Sequence, residues 1–329
     1  MSIIFVGTPA FAVPSLERLA GAGHDIAAVV TQPDRPAGRH RTPRPPPVKL
    51  AAQQLGLQVV QPPTLRDAEV LAGLRALSPK VIVVVAYGQI LRQEVLEIPA
   101  RGVLNVHPSL LPRWRGASPV PAAILAGDER TGVTIMLMDA GMDSGPILSR
   151  VETPINDTDT SRSLLDTLSD LGAGLLVDTI PRWLAGEIQP QPQDDSKPTV
   201  CPLLRKEDGA IDWHLSAIEI WRRIRAYNPW PGAYTALDGQ MLHIWRAWPL
   251  DMTAAAPPGT VQKLLAEWLH ELPDNASSEA AFAVQTGSGV LVPMDVQRAG
   301  RRTLSAAEFL RGMPNLIGSQ LELPRQING

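Results

Sequence analysis

The run VIVVVAYG, residues 81–88, is apolar at almost every position, and this lack of alternation constrains the fold more than any other feature of the chain. A strand with one face in water alternates apolar and polar side chains, whereas a strand covered on both faces does not. Similar runs recur at SIIFVG (2–7), DIAAVVTQ (25–32), GVLNVH (102–107) and TGVTIMLMD (131–139). Between them, TPAFAVPSLERLAGAG and VKLAAQQLG (48–56) suit helices ending at glycine. Strands alternating with helices predict an α/β fold of Rossmann-like type: a doubly wound, mostly parallel sheet with helices on both faces. Such sheets bind ligands at the carboxyl ends of their strands. Tyr87 and Gly88, Asn105 and His107, and Asp139 to Gly145 are expected there.

Residues 188–202, IQPQPQDDSKPTVCP, are polar and proline-rich without a period, the composition of a linker. At 329 residues the chain exceeds the size at which one core keeps growing. The reading is therefore a first domain over 1–188, a linker over 189–204 and a C-terminal domain over 205–329. In the last, SAIEIWRRIRAYN (216–228) opens with Ser216 and Glu219 three apart, a capping box. GAYTALDGQMLHIWRAW (232–248) alternates around Asp238-Gly239, a hairpin signal. GTVQKLL, AAFAVQTG and GVLVPMDV suit further strands. A small antiparallel barrel of OB type is expected, with sandwich-like packing as the alternative. WLHELPDNASSEAA (268–281) reads as a loop insertion.

Apolar residues make up 44% and charged residues 19%, a globular balance. The single cysteine, Cys201, excludes an internal disulfide and fits a reducing compartment. The N-terminus lacks the basic region of a leader, and no apolar run reaches the ~18 residues of a membrane span. A cytoplasmic monomer is the expectation.

The chemistry concentrates in VLNVHPSLLPRWRG, residues 103–116. Alternate strand residues share a face, so Asn105 and His107 present an amide and an imidazole side by side. Asp143, in the glycine-flanked turn GMDSGP (141–146), supplies a carboxylate that can orient the imidazole or favour its charged form. An amide beside an imidazolium stabilises an oxyanion. The trio suits acyl transfer to an amine without a protein nucleophile, since no G-x-S-x-G elbow exists. Phosphate-loop and dinucleotide signatures are absent: GTP at 7–9 lacks the lysine that would follow it. Six scattered histidines, with no H-x-x-x-H and no C-x-x-C, predict no metal site. One stretch stands apart in a chain of net charge -3: QPDRPAGRHRTPRPPPVK (32–49) carries five cations (Arg35, Arg39, Arg41, Arg44 and Lys49) against one carboxylate, Asp34. Held by prolines after a strand's carboxyl end, these cations would suit a phosphate backbone.

With FVGTPAFA, VTQPDRPAGR, VVVAYGQIL, NVHPSLLPRWRGASP, TGVTIMLMDAGMDSGPIL, KEDGAIDW and IRAYNPWPGAYT in place, the chain closely resembles the methionyl-tRNA formyltransferase family over essentially its whole length. The resemblance implies transfer of a formyl group from 10-formyltetrahydrofolate to the α-amino group of methionine on initiator tRNA. It assigns Asn105, His107 and Asp143 to the family's catalytic trio. Ser109, Leu110, Leu111 and Pro112 match the folate-contact segment, to which Tyr87, Gly88 and Asp139 are added as folate-binding candidates. It places Arg39 against the tRNA acceptor end, with Arg35, Arg41, Arg44 and Lys49 as further tRNA contacts. After AGR the family commonly carries glycine and lysines, where this chain has His40, Arg41 and Arg44. The rival expectations are a folate-dependent formyltransferase acting on an amino-sugar nucleotide or small amine, and an RNA-binding module without catalysis.

Overall fold

The structure, a computed structural model, describes residues 2–37, 42–194, 196, 198–252, 256–273 and 278–323. The chain forms two compact units, one of Met1–Val120, Glu129–Ile155 and Ser163–Pro202, the other of Pro121–Asp128, Asn156–Arg162 and Leu203–Gly329. Through the first part of the chain run β1 (Ser2–Gly7), α1 (Val13–Gly21), β2 (Asp25–Val30), β3 (Arg35–Ala37), β4 (Thr42–Arg44), α2 (Pro47–Gln54), β5 (Val59–Val60), α3 (Ala68–Ala76), β6 (Val81–Val85), α4 (Gln93–Leu96), β7 (Val103–His107) and β8 (Arg115–Gly116). Then come α5 (Pro119–Ala126), β9 (Arg130–Leu137), β10 (Ile147–Pro154), α6 (Ser161–Leu184) and β11 (Val200–Cys201).

The first unit is built on a seven-stranded sheet in the order β10-β9-β7-β6-β1-β2-β5. From β7 to β5 all neighbours are parallel, as the apolar runs require. Every residue of β6 is buried, and Ile3, Ile4 and Phe5 of β1 are wholly enclosed. Helices end where local chemistry stops or starts them: Asp67 caps α3 by accepting from the Glu69 and Val70 N–H groups. The chain lays down β1, β2 and β5 outward, then returns to the other side of β1 for β6 and β7. That reversal leaves a crevice beyond the carboxyl ends of β1 and β6.

β9 runs antiparallel to β7, and β10 antiparallel to β9. Leu137 therefore lies opposite Leu104, near the start of β7, and the Met138 N–H donates to the Val103 carbonyl. The 139–145 turn thus leaves its strand near the amino end of β7 and must fold back to reach the site, a departure from the route expected of a fully parallel sheet.

In the second unit α7 (Ala217–Ala226) carries the expected capping box, with Ser216 and Glu219 exchanging hydrogen bonds. Six antiparallel strands follow: β12 (Tyr234–Leu237), β13 (Gln240–Leu250), β14 (Val261–Lys263), β15 (Phe282–Gln285), β16 (Val290–Arg298) and β17 (Leu304–Ser305), before α8 (Ala306–Gly312). The Asp238-Gly239 turn joins β12 to β13 with both residues at positive φ, 50° and 73°. Sheet order is β12-β13-β16-β15-β14, with β17 on β16. The two free edges are bridged by one segment: Glu322 pairs with Ala236 of β12, and Gln320 with Thr260 beside β14. The sheet thereby curls round a core that includes Trp213, Ile220, Ile224, Phe282 and Leu291, and its edge strands are covered. The 268–281 insertion begins as a short 3-10 helix, Ala266–Glu271, with Trp268 buried, while 274–277 lie outside the described residues. Among the described residues no helix is long and apolar enough to cross a membrane.

The proline-rich stretch after α6 is hydrogen-bonded into the first unit. Gln191 pairs with Ile147 in both directions at 2.8 Å, and β11 pairs in parallel with β8.

Candidate active site

Side chains on β7 divide by parity. Leu104 and Val106 are buried, and Val106 packs against the bare Cα of Gly172 in α6. Asn105 and His107 face the other way, as alternation dictates. The Asn105 amide is half-buried and forms no hydrogen bond among the described residues, so its donors remain available to a ligand. His107 is 4% exposed. Its Nε2 lies 3.0 Å from the Trp114 carbonyl, an acceptor, which assigns the Nε2 proton to that bond. Nδ1 then faces Asp143 Oδ2 at 3.8 Å.

Asp143 is fixed from the other side, its Oδ2 accepting from the Gly116 N–H at 2.9 Å. The turn that carries it is closed by Asp139, whose carboxylate accepts from the Gly141 N–H and the Ser144 hydroxyl. Gly145 is obligatory there: a Cβ would stand 1.8 Å from the Leu137 carbonyl oxygen. The structure thus places His107 and Asp143 3.8 Å apart, with Asn105 two residues before His107 on the same strand face, while Asp139 serves the turn's geometry.

The remaining candidates divide by what they expose. Ser109 and Leu111 are fully buried, Ser109 Oγ donating to the Arg113 carbonyl at 2.6 Å. They set the loop's shape, and Leu110 and Pro112 are its half-buried members. Tyr87 turns its ring into the core; its phenol finds no hydrogen-bond partner among the described residues, and burial pushes its pKa up to about 12. What Tyr87 offers is its carbonyl, which accepts from Thr8 Oγ1 at 3.0 Å. Ile90, 86% exposed, and Met142, 56% exposed, give the loops after β6 and before β10 apolar tips.

Beyond β1 and β6 the crevice is a cavity of about 450 Å³, lined by Thr8, Gln32, Arg35, Arg44, Tyr87 and Gly88 among others. Arg35 and Arg44 stand opposite each other in the β3–β4 hairpin, and Arg35 donates to Gln32 Oε1 at 3.0 Å. The expected proline-rich loop is thus a short antiparallel ribbon at its base. Lys49 donates to both oxygens of Asp34 at 2.8 Å. The Gln61 amide and then Lys49 hold Asp34 below the usual carboxylate range. Arg39, His40 and Arg41 lie outside the described residues. Among the described residues no group of three His, Cys, Asp or Glu side chains is placed to hold a metal ion.

Partners that composition could not single out are backbone groups and one amide: the Trp114 carbonyl, the Gly116 N–H and Gln193. Trp114 has φ 61° and carries the Arg113 guanidinium 4.5 Å from its ring centroid. The W-R-G triplet after the prolines was the available signal.

A family profile described as formyl transferase matches residues 1–180, and one described as formyl transferase, C-terminal domain, matches residues 203–272. A methionyl-tRNA formyltransferase of Chloroflexus aurantiacus is 51% identical over 313 residues, 95% of this chain and 97% of the relative. Among solved structures, an N-formyltransferase from Helicobacter canadensis, in complex with folinic acid and dTDP-3-aminofucose, superposes with a TM-score of 0.64. That match has 18% identity and covers 90% of this chain and 98% of the other. A methionyl-tRNA formyltransferase from Clostridium thermocellum gives a TM-score of 0.53 at 18% identity, covering 75% and 93%. Fold and matches together define an α/β transferase of small acyl groups. The chain belongs to the formyl transferase family, and within it to the methionyl-tRNA formyltransferases.

Proposed function

We propose that this chain transfers the formyl group of 10-formyltetrahydrofolate to the α-amino group of methionine esterified to initiator tRNA. The observation that carries the chemistry is the convergence of an unengaged Asn105 amide, the His107 ring and the Asp143 carboxylate. The formyl donor is a substrate, and the residues present fit it. Exposed Ile90 and Met142 offer apolar contact to a flat ring system, and the Asn105 donors have no competing partner among the described residues.

Asn105 Nδ2 and the His107 Nδ1–H, which at 3.8 Å from Asp143 Oδ2 is not spent on a hydrogen bond to it, hold the oxygen of the formyl carbonyl as the neutral methionyl amine attacks its carbon. Each such donor lowers the barrier by roughly 3 kcal/mol. Asp143, the anion beside the His107 ring, takes up, directly or through water, the proton that the amine loses. Cleavage of the bond from the formyl carbon to N10 of the folate then returns a proton to that nitrogen. No residue is acylated. Arg35 and Arg44, which line the 450 Å³ cavity, contact the tRNA acceptor end together with Arg39 of the same basic stretch of sequence. The enzyme works as a monomer in the cytoplasm.

The test supplies 10-formyltetrahydrofolate with either methionyl initiator tRNA or a dTDP-linked amino sugar. Formylation of the methionyl amine with no turnover of the sugar supports the reading; the reverse preference sinks it.

A further inference from the structure

The stretch that composition marks as a linker places one side chain against the candidate site. Gln193 is half-buried and uses all of its amide's hydrogen-bonding capacity. Its Nε2 donates to the carbonyls of Asp143 and Gly145 at 2.8 Å each. Its Oε1 accepts from Nε and Nη2 of Arg115 at 3.0 and 2.7 Å. Arg115 is 8% exposed and directly precedes Gly116, whose N–H holds the Asp143 carboxylate. Gln193 therefore grips both sides of the Asp143–Gly116 contact.

The contact needs such a grip. Asp143 has φ 51°, a left-handed conformation that a non-glycine residue holds only where its surroundings fix it. The same segment also fixes the other partner of the imidazole. Thr199 Oγ1 accepts from the Trp114 N–H at 2.7 Å, and the Trp114 carbonyl receives His107 Nε2.

We propose that Gln193 is a positioning residue for formyl transfer, holding the Asp143 carboxylate against the Gly116 N–H and in line with His107 Nδ1. The proposal rests on the catalytic reading of Asp143 and His107. It assigns the segment between the two family-profile matches a place in the site as well as a connecting one.

Two substitutions separate the contacts. Gln193→Leu removes all of them. Gln193→Glu has nearly the same shape and keeps an acceptor for Arg115, but turns an oxygen instead of two N–H groups toward the Asp143 and Gly145 carbonyls. Displacement of a catalytic group by about 1 Å costs on the order of 100-fold. Both variants should lose about 10- to 100-fold in single-turnover formyl transfer, with folate and tRNA dissociation constants changed by less than about twofold. Gln193→Glu carries the test if Gln193→Leu fails to fold, and exposed Gln189→Leu serves as the control.

The decisive readout is coupling. If Gln193 acts through the Asp143 charge, Gln193→Glu added to Asp143→Asn should cost little more than Asp143→Asn alone. Multiplicative losses in the double variant, or a Gln193→Glu rate within twofold of the unmodified enzyme, would overturn the proposal. Full activity of Asp143→Asn would instead remove the catalytic reading beneath it, a separable outcome.

Discussion

Asparagine at position 143 would change a charge while keeping the shape of the side chain. Asp143 Oδ2 accepts from the Gly116 N–H at 2.9 Å, a bond that an amide oxygen can still accept, so the turn should keep its form. What disappears is the anion 3.8 Å from His107 Nδ1, between side chains only 5% and 18% exposed. Two unit charges at that separation, with an effective dielectric constant of about 20, interact by about 4 kcal/mol. Each 1.36 kcal/mol is tenfold in rate, so the ceiling on the loss is about 1,000-fold. Water admitted to the site would recover part, and a loss of about 100- to 1,000-fold in single-turnover formyl transfer is expected. The assay is rapid quench at saturating folate and charged tRNA, with a thermal melt of the same sample. A melting temperature within a few degrees of the unmodified protein isolates the electrostatic effect. A transfer rate reduced by less than tenfold in a correctly folded variant would refute the role assigned to the carboxylate.

Asn105→Ala should slow single-turnover transfer by about 100- to 1,000-fold, the loss for one oxyanion donor, with folate binding nearly unchanged by equilibrium dialysis. Arg39→Ala should weaken tRNA binding and flatten the slope of log K against log salt by about one unit, leaving folate affinity intact; Arg39→Lys should recover only part. An unchanged slope would return the hairpin to an ordinary solvated turn. His243, stacked on Trp245 at 5.2 Å, has its pKa lowered by burial, partly offset by its contact with the Ala233 backbone. The folded state thus binds its proton less readily than the unfolded chain, so this contribution to stability is complete above about pH 6.5 and lost as pH falls below it. Melting temperatures between pH 7.5 and 5 should fall less steeply in His243→Gln, and parallel slopes would contradict the assignment.

The strands that carry the site could be read because burial on both faces leaves an unbroken apolar run, as in β6, and because alternation puts Asn105 and His107 on one face. The Ser216 capping box and the Asp238-Gly239 turn could be read because each depends on neighbours in sequence. Features set by distant pairing could not. The antiparallel direction of β9, which changes how the Asp143 turn arrives, depends on β7 and leaves no periodic trace. Residues 318–322 close the edges of the second sheet by single bridges, too short for a strand pattern. The polar, proline-rich composition of 188–202 reads as a linker, but says nothing of a segment whose Gln191 pairs with Ile147 of β10 and whose Gln193 and Thr199 bond to the loops around the site. What the folate candidates expose could not be read either. Tyr87, Ser109 and Leu111 are enclosed while Ile90 and Met142 are exposed, a division set by tertiary packing that residue type does not display.

Transfer of a labelled formyl group tests the account at its root. Incubated with formyl-labelled 10-formyltetrahydrofolate and methionyl initiator tRNA, the unmodified chain should place the label on the methionyl α-amino group. His107→Ala should still bind the folate but transfer label about 100-fold more slowly or worse. Label that stays on the folate with the unmodified chain, or moves equally fast with His107→Ala, would contradict the assignment of the reaction to this site.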